Sequence, residues 1–349
     1  MDFERILVRA TNWVGDAVMS VPALQALRKR FPCAHIAVLA KPWVAQLYGR
    51  EPFCDELIPY EAPPGWRGVG RKWSIASSLR GRRFDAAVLL PNAFEAAALV
   101  RLAGIPTRIG YNSDGRGWLL TDAIAKPSKD QIPVHQRFYY MELLKRARLI
   151  DGYPLDSSIR LSGAHAAADK GREHFRSKQI RSAVIGISPG AAYGGAKRWL
   201  PERFGAAAVR LARERNAVIA IFGSKEEVEV CGLVEQAVEA AGERCLNFAG
   251  ETSLGTFIEM AAACEVYLTN DSGPMHIASA LGVRTVVVFG ATDEQATGPT
   301  GELYRIVREP VECSPCLLRE CPIDHRCMTR VTSDRVAETA LSLMAAVEK

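Results

Sequence analysis

Three loops carry residues whose types and spacing suit anion binding and proton transfer. In the first, Asn270-Asp271-Ser272-Gly273 follows an apolar strand ending at Leu268, and Pro274 opens a short apolar helix that stops at Gly282. Proline suits the first helical turn because its missing N–H is not needed there. Ser272 or Asp271 can cap the helix, and Gly273 lets a ligand approach the backbone. The free N–H groups and dipole of that helix end then make an anion site at the carboxyl edge of a sheet. His276 lies inside the helix, either donating to a phosphate or held as a satisfied, half-buried histidine. The second loop, Ser188 to Pro201, is rich in small residues whose amides can approach an anion, and Lys197 adds a point charge. Both loops end strands of one predicted sheet, so together they can hold the two phosphates of a diphosphate. Gly223-Ser224-Lys225-Glu226-Glu227 ends a third strand at that edge. Glu226 and Glu227 either accept from ribose hydroxyls or serve only as first-turn helix acids.

The third loop, Arg9 to Ala17, leaves the first strand and enters the first long helix. It lacks G-x-G-x-x-G, which argues against an N-terminal dinucleotide site and against a dehydrogenase. Asp16 there is either a helix cap or first-turn acid, or a general base with Gly15 giving close access. A fourth feature is Cys313-x2-Cys316-x4-Cys321-x5-Cys327 with His325 between, the residue types of a zinc or iron–sulfur site at a spacing that fits no standard finger. It reads either as a structural metal site or as reduced thiols in a loop. The other cysteines are scattered in apolar surroundings, as small core residues are.

Positioning these loops requires alternating strands and helices. Strands are predicted at Ile6–Arg9, His35–Ala40, Glu56–Ile58, Ala86–Leu90 and Arg108–Tyr111. The helices between them are predicted at Val18–Arg30, Trp43–Tyr48, Ser74–Arg80 and Glu95–Leu102. A longer amphipathic helix, Gln131–Leu149, follows. After a helix at Ala164–Lys178 the pattern restarts at Ala183–Ser188 and runs to a last amphipathic helix at 333–347. Such βα alternation means parallel sheets covered on both faces. The expected class is therefore α/β, two doubly wound domains, 1–165 and 166–349, with helix 333–347 a candidate to pack back on the first.

The 349 residues are 48% hydrophobic and 24% charged, the composition of a soluble globular chain. No apolar run approaches a membrane span, and the N-terminus reads as strand rather than secretory signal, so the expected compartment is the cytoplasm. The net charge of +5 is concentrated: Arg67, Arg71, Lys72, Arg80, Arg82, Arg83, Arg101, Arg108 and Arg116 crowd the first third. That is either a solvated basic face or attraction to an anionic partner. No basic run interleaves with aromatics as a stacking platform would, so phosphorylated glycolipid is favoured over nucleic acid.

The motifs together resemble glycosyltransferase family 9. The resemblance rests on Asn12-Trp13-Val14-Gly15-Asp16, the loop from Pro189 to Trp199, Leu246 to Thr252, and Thr269-Asn270-Asp271-Ser272-Gly273-Pro274-Met275-His276. Pro91-Asn92 and Gly104 to Arg108 fit it too. It extends over nearly the whole chain in matching order. It implies a GT-B fold, two Rossmann-like domains facing a cleft, with acceptor on the N-terminal domain and ADP-heptose on the C-terminal one. It implies inverting transfer of L-glycero-D-manno-heptose to the first heptose of a phosphorylated lipopolysaccharide inner core, at the cytoplasmic face of the inner membrane. No cofactor or metal is required. By position Asp16 matches the family's proposed base and Lys197 its phosphate-binding lysine. Asp271, Ser272, Gly273 and His276 match its donor turn, and Glu226 or Glu227 a ribose-binding acid. Asn12, Trp13, Arg108, Tyr111 and Arg137 are the acceptor-side candidates. The cysteine cluster departs from the enteric-type pattern. Base and leaving-group site come from two domains, so closure is expected to bring them together. Competing readings are another heptosyltransferase, a sugar-nucleotide epimerase, or a non-catalytic nucleotide- or lipid-binding protein in which Asp16 only caps.

Overall fold

The computed structural model describes residues 2–347 apart from Pro64, Lys129 and Ser157. It divides into two compact units, Met1–Ser157 and Ser158–Lys349. The first carries β1 (Arg5–Arg9), α1 (Val14–Arg30), β2 (His35–Ala40), α2 (Pro42–Tyr48), β3 (Glu56–Pro59) and α3 (Val69–Gly81). It continues with β4 (Ala86–Leu89), α4 (Phe94–Leu102), β5 (Thr107–Tyr111), β6 (Asp122–Ile124) and α5 (Arg137–Arg146). The second carries α6 (Ala164–Ser177), β7 (Val184–Ser188), α7 (Pro201–Arg215), β8 (Val218–Ile221), α8 (Val228–Ala240), β9 (Cys245–Asn247) and α9 (Leu254–Ala262). Then come β10 (Val266–Asn270), α10 (Gly273–Ala280), β11 (Arg284–Phe289), α11 (Glu294–Thr297), β12 (Tyr304–Arg308), α12 (Arg326–Thr329) and α13 (Ser333–Val347).

Among the described residues the strands form two six-stranded parallel sheets. Their orders are β3-β2-β1-β4-β5-β6 and β9-β8-β7-β10-β11-β12. The second repeats the order of the first, the doubly wound arrangement in which strand order reverses beside the first strand. The reversal falls between β1 and β4 in one sheet and between β7 and β10 in the other. Ligands enter such sheets there, at the carboxyl ends. The central strands read as unbroken apolar runs because helices cover both faces. Ile6, Leu7 and Val8 of β1 are buried, as are Ile185, Ile187, Val266 and Leu268 of β7 and β10.

Several boundaries differ from the sequence reading for identifiable reasons. The helix predicted from Val18 begins at Val14, so Asp16 lies inside its first turn, with Trp13 at the N-cap. The helix predicted over Gln131–Leu149 is shorter. Pro133 disfavours helical geometry in the residue before it, and Arg148 adopts the left-handed φ of 57° that closes the other end. Edge strands β6, β9 and β12 are not evident from the sequence because they are half-exposed, without the apolar run of a central strand. The division between units falls before the predicted 165/166 boundary. The Ile159 N–H donates to Thr300 and the Leu161 N–H to the Ala280 carbonyl, tying the segment before α6 to the second unit. Helix α13, a candidate to return to the first domain, packs on α7, β11 and β12. Among the described residues no helix is long and apolar enough to cross a membrane.

Candidate active site

In the second unit the carboxyl end of β10 delivers Asp271 and Ser272 to the start of α10, with Gly273 and Pro274 its first residues. Ser272 has the extended backbone of an N-cap, yet its side chain makes no capping bond. Its Oγ lies 3.3 Å from Thr269 Oγ1 instead. Asp271 does not cap either. It is buried, and its Oδ2 accepts from Lys197 Nζ at 2.6 Å and from Thr292 Oγ1 at 2.6 Å. No side chain caps α10, so the Gly273 end of the helix can face an anion, while Asp271 fixes the lysine beside it. His276 is buried inside α10, which favours the reading of a satisfied core histidine.

Lys197 ends a tight turn, Gly195–Lys197, and its ammonium also sits 4.9 Å from the centroid of the Tyr193 ring. Asn270 joins this loop to the β10 turn. Its Oδ1 accepts from the Trp199 amide at 2.9 Å and its Nδ2 donates to the Pro189 carbonyl at 2.7 Å. Trp199, fully buried, anchors the far end: its Nε1 donates to the Val331 carbonyl and its ring packs edge-on against Phe204. Sequence reasoning gave Asn270 no task of its own. A polar side chain at the last position of a buried strand was the signal, since such a group must find partners.

Of the two acids after β8, Glu227 completes a capping box. Its Oε2 accepts from the Ser224 amide at 2.8 Å. The same carboxylate lies against Gly190, where an added Cβ would stand 2.0 Å from Oε1. Glu226 is exposed, its carboxyl held below the usual range by its own backbone amide and by Ser224. Both acids are therefore first-turn residues, with Glu227 the one against the phosphate-loop candidate.

The cysteine segment packs on that same loop. Tyr193 donates to the Leu317 carbonyl at 2.8 Å, the Ala196 amide donates to the Arg319 carbonyl, and the Gly195 amide donates to Glu320 Oε1 at 2.9 Å. His325 Nε2 lies 3.0 Å from the Ala196 carbonyl. All four thiols are free. Burial, with the neighbouring Cys313, Cys321 and Cys316, pushes the Cys327 thiol up to about 11. Among the described residues no group of three or more His, Cys, Asp or Glu is arranged to hold a metal ion. The segment buttresses the Tyr193–Lys197 loop. Gly194 makes the contact feasible, since a Cβ there would stand 2.3 Å from the Arg319 carbonyl oxygen. Gly194→Ala is expected to cost about 1–3 kcal/mol of stability, as overpacking does, measured as a lower Tm in a calorimetric scan.

In the first unit, Asp16 stands where α1 begins, at the carboxyl end of β1 and the sheet's reversal point. It is partly exposed, and it hydrogen-bonds to the hydroxyl of Tyr140 on α5. Burial, then the Asp16 charge, hold the Tyr140 hydroxyl well above its usual range, so it stays a donor. Tyr140 is a second residue the sequence did not disclose. The loop before Asp16 is braced from behind. Buried Arg9 donates to Asn12 Oδ1 at 2.8 Å and to Tyr60, and Trp43 Nε1 donates to the Asn12 carbonyl at 2.9 Å. Asn12 and Trp13 are exposed beside the acid, as acceptor contacts need to be.

The other acceptor candidates have different tasks. Arg108 lies near the amino end of β5, away from Asp16, and donates to the carbonyls of Ile105, Pro106 and Leu119. Tyr111 is buried and donates to the Tyr139 carbonyl at 2.8 Å. Arg137 Nη2 donates to the Leu155 carbonyl at 2.9 Å. Buried Arg116 ties together the Tyr111, Pro91 and Ala93 carbonyls, shaping the loop after β4 on the other side of the reversal point.

Comparison with known proteins agrees with this layout. The model of glycosyltransferase family 9 (heptosyltransferase) matches residues 72–326. Lipopolysaccharide heptosyltransferase 2 of Escherichia coli K12 is 32% identical, with 87% of this chain and 88% of that protein aligned. Lipooligosaccharide heptosyltransferase 2 of Haemophilus ducreyi is 29% identical over 98% and 99% of the two chains. The solved structure of E. coli ADP-heptose lipopolysaccharide heptosyltransferase II matches with a TM-score of 0.83 at 30% identity, covering 99% of this chain and all of that one. Two parallel sheets of this order, matched end to end by that enzyme, make the fold GT-B. By family model, sequence and structure alike, this chain belongs to glycosyltransferase family 9.

Proposed function

We propose that this chain transfers L-glycero-D-manno-heptose from ADP-heptose to the first heptose of a phosphorylated lipopolysaccharide inner core, with inversion. The observation that carries the reading is the Lys197–Asp271 pair beside the open start of α10, at the reversal point of the second sheet. It is supported by end-to-end similarity to proteins named heptosyltransferase 2. Inversion needs one in-line displacement. Asp16 takes the proton of the acceptor hydroxyl as its oxygen attacks the anomeric carbon, and the bond to the diphosphate breaks through an oxocarbenium-like state. ADP leaves with growing negative charge. Lys197, the Ser272 and Gly273 amides and the α10 dipole are the groups aimed at that charge. Glu227 is the better placed of the two acids to receive the nucleoside end. Charge neutralisation by lysine and helix makes a metal unnecessary.

The lipid-borne acceptor places the work at the cytoplasmic face of the inner membrane, with the enzyme bound peripherally. The test is incubation of the purified protein with ADP-heptose and a panel of truncated cores, scored by mass, with and without EDTA. One added heptose on the core ending in a single heptose, EDTA or not, is the expected result. Conversion of the donor with no acceptor would instead indicate an epimerase. Donor binding without ADP release would indicate a binding protein.

A further inference from the structure

Residues 65–119 hold nine arginines and lysines against three acids, a net +6 in a chain whose total is +5. The remainder is close to neutral, so the basic character belongs to one region of the first unit. That region also exposes large apolar side chains. On α3, Val69 and Trp73 lie one helical turn apart, and Trp73 is 58% exposed. On α4, Phe94, Arg101 and Leu102 share one face by their spacing, with Phe94 45% and Leu102 40% exposed. Trp118, 66% exposed, lies over that face. Its ring is 6.3 Å from Phe94, and the Arg101 guanidinium is 5.7 Å from its centroid. Helices α3 and α4 pack side by side, and Lys72 and Glu95 pair across them at 2.9 Å. Arg80, exposed, shares the face of Val69 and Trp73 on α3 by its spacing.

Exposed tryptophans on a charged helical surface call for a partner, because single apolar side chains scatter over a soluble surface whereas grouped ones mark a contact. Tryptophan with arginine suits the headgroup level of a bilayer, where the indole enters the interface and the cation meets phosphate. Single-stranded nucleic acid fits less well. It needs successive open ring faces along a groove, and here Trp118 is tilted against Phe94 and flanked by Arg101 while Trp73 stands on another helix. We infer that the face formed by Val69, Trp73, Phe94, Leu102 and Trp118, with Arg80 and Arg101, docks on an anionic phospholipid bilayer. The choice of membrane in the cell rests on the function proposed above; the affinity of this face for anionic lipid does not. Phe94 directly follows the Arg116-braced loop at the carboxyl end of β4, so docking sets the acceptor side of the first sheet against the lipid surface.

The test is flotation of the full chain with vesicles of phosphatidylethanolamine and phosphatidylglycerol, against pure phosphatidylcholine. Wild type is expected to float with the anionic vesicles and to release as salt rises. Trp73→Ala/Trp118→Ala is expected to lose at least tenfold in partitioning, while transfer to a delipidated, water-soluble core stays unchanged. Arg80→Glu/Arg101→Glu should lose a similar factor, chiefly at low salt. Wild-type partitioning of the double tryptophan variant would overturn the proposal, as would binding of a single-stranded oligonucleotide by wild type with no flotation. Flotation that depends on these residues in a protein without transferase activity would support the docking face and remove the function.

Discussion

Asp16→Ala is expected to lower kcat by about 10²–10⁴, the range for loss of a positioned general base, while ADP still binds with wild-type affinity. Asp16 lies in the first unit, and the proposed phosphate groups all lie in the second, so the base and the donor site are removed by separate substitutions. The helix-cap alternative makes a different forecast. Trp13, not Asp16, occupies the N-cap; an acid in the first turn contributes only about 0.3–1 kcal/mol through the helix dipole. If Asp16 were merely that, the variant would lose a little Tm and keep its rate. Asp16→Asn separates the two readings further, since it keeps size and hydrogen bonding to Tyr140 but cannot take a proton. Single-turnover transfer followed by mass, beside calorimetry with ADP, reads both quantities. A near-wild-type rate in Asp16→Asn would sink the assignment.

Tyr140 makes the same argument from the other side. Its hydroxyl is locked as a donor by burial and by the Asp16 charge, so it orients the carboxylate. It is a positioning residue. Tyr140→Phe should therefore lower the rate much less than Asp16→Asn, and it should shift the acid limb of the pH–rate profile upward because the carboxylate loses a donor that favours its ionised form. A purely structural tyrosine would change Tm and leave the profile where it was.

The sequence disclosed what depends on period and punctuation. Glycine and proline at Gly273, Pro274 and Gly282 marked α10, and apolar runs marked the central strands, because parallel strands buried on both faces leave no other pattern. The anion-site loops were legible for the same reason, since each ends such a run. Less legible was anything that depends on partners distant in the chain. Arg108, an acceptor-side candidate in the sequence, is occupied by three carbonyls. Tyr111 likewise faces inward. Asp271 was read as touching the donor, and its burial against Lys197 and Thr292 makes it a holder of the lysine instead. The exposed tryptophans were missed because Trp73 and Trp118 come from different elements, and only packing of α3 against α4 gathers them with the arginines.

Lys197→Ala is the second large effect, and its interpretation turns on Asp271. The pair is nearly buried, with side-chain exposures of 13% and 5%. Removing one partner of a buried pair strands the other charge, at a cost of about 3–5 kcal/mol. The single variant would therefore lose stability and donor affinity together, and neither loss would identify the lysine as a phosphate ligand. Lys197→Ala/Asp271→Asn removes both charges. The neutral amide placed there still accepts from Thr292, so no buried charge is left and stability should largely return. Donor affinity should not return. A charged hydrogen bond to the diphosphate is worth about 1.5–3 kcal/mol, so ADP-heptose binding is expected to stay roughly 10- to 100-fold weaker. The rate should fall further than the affinity, because the lysine faces a charge that grows as the leaving group departs. Asp271→Asn alone should retain most donor affinity, since Lys197 keeps its charge and loses only its holder. Recovery of both Tm and ADP-heptose affinity in the double variant would reduce the pair to a structural salt bridge and shift the diphosphate onto the amides of α10 alone.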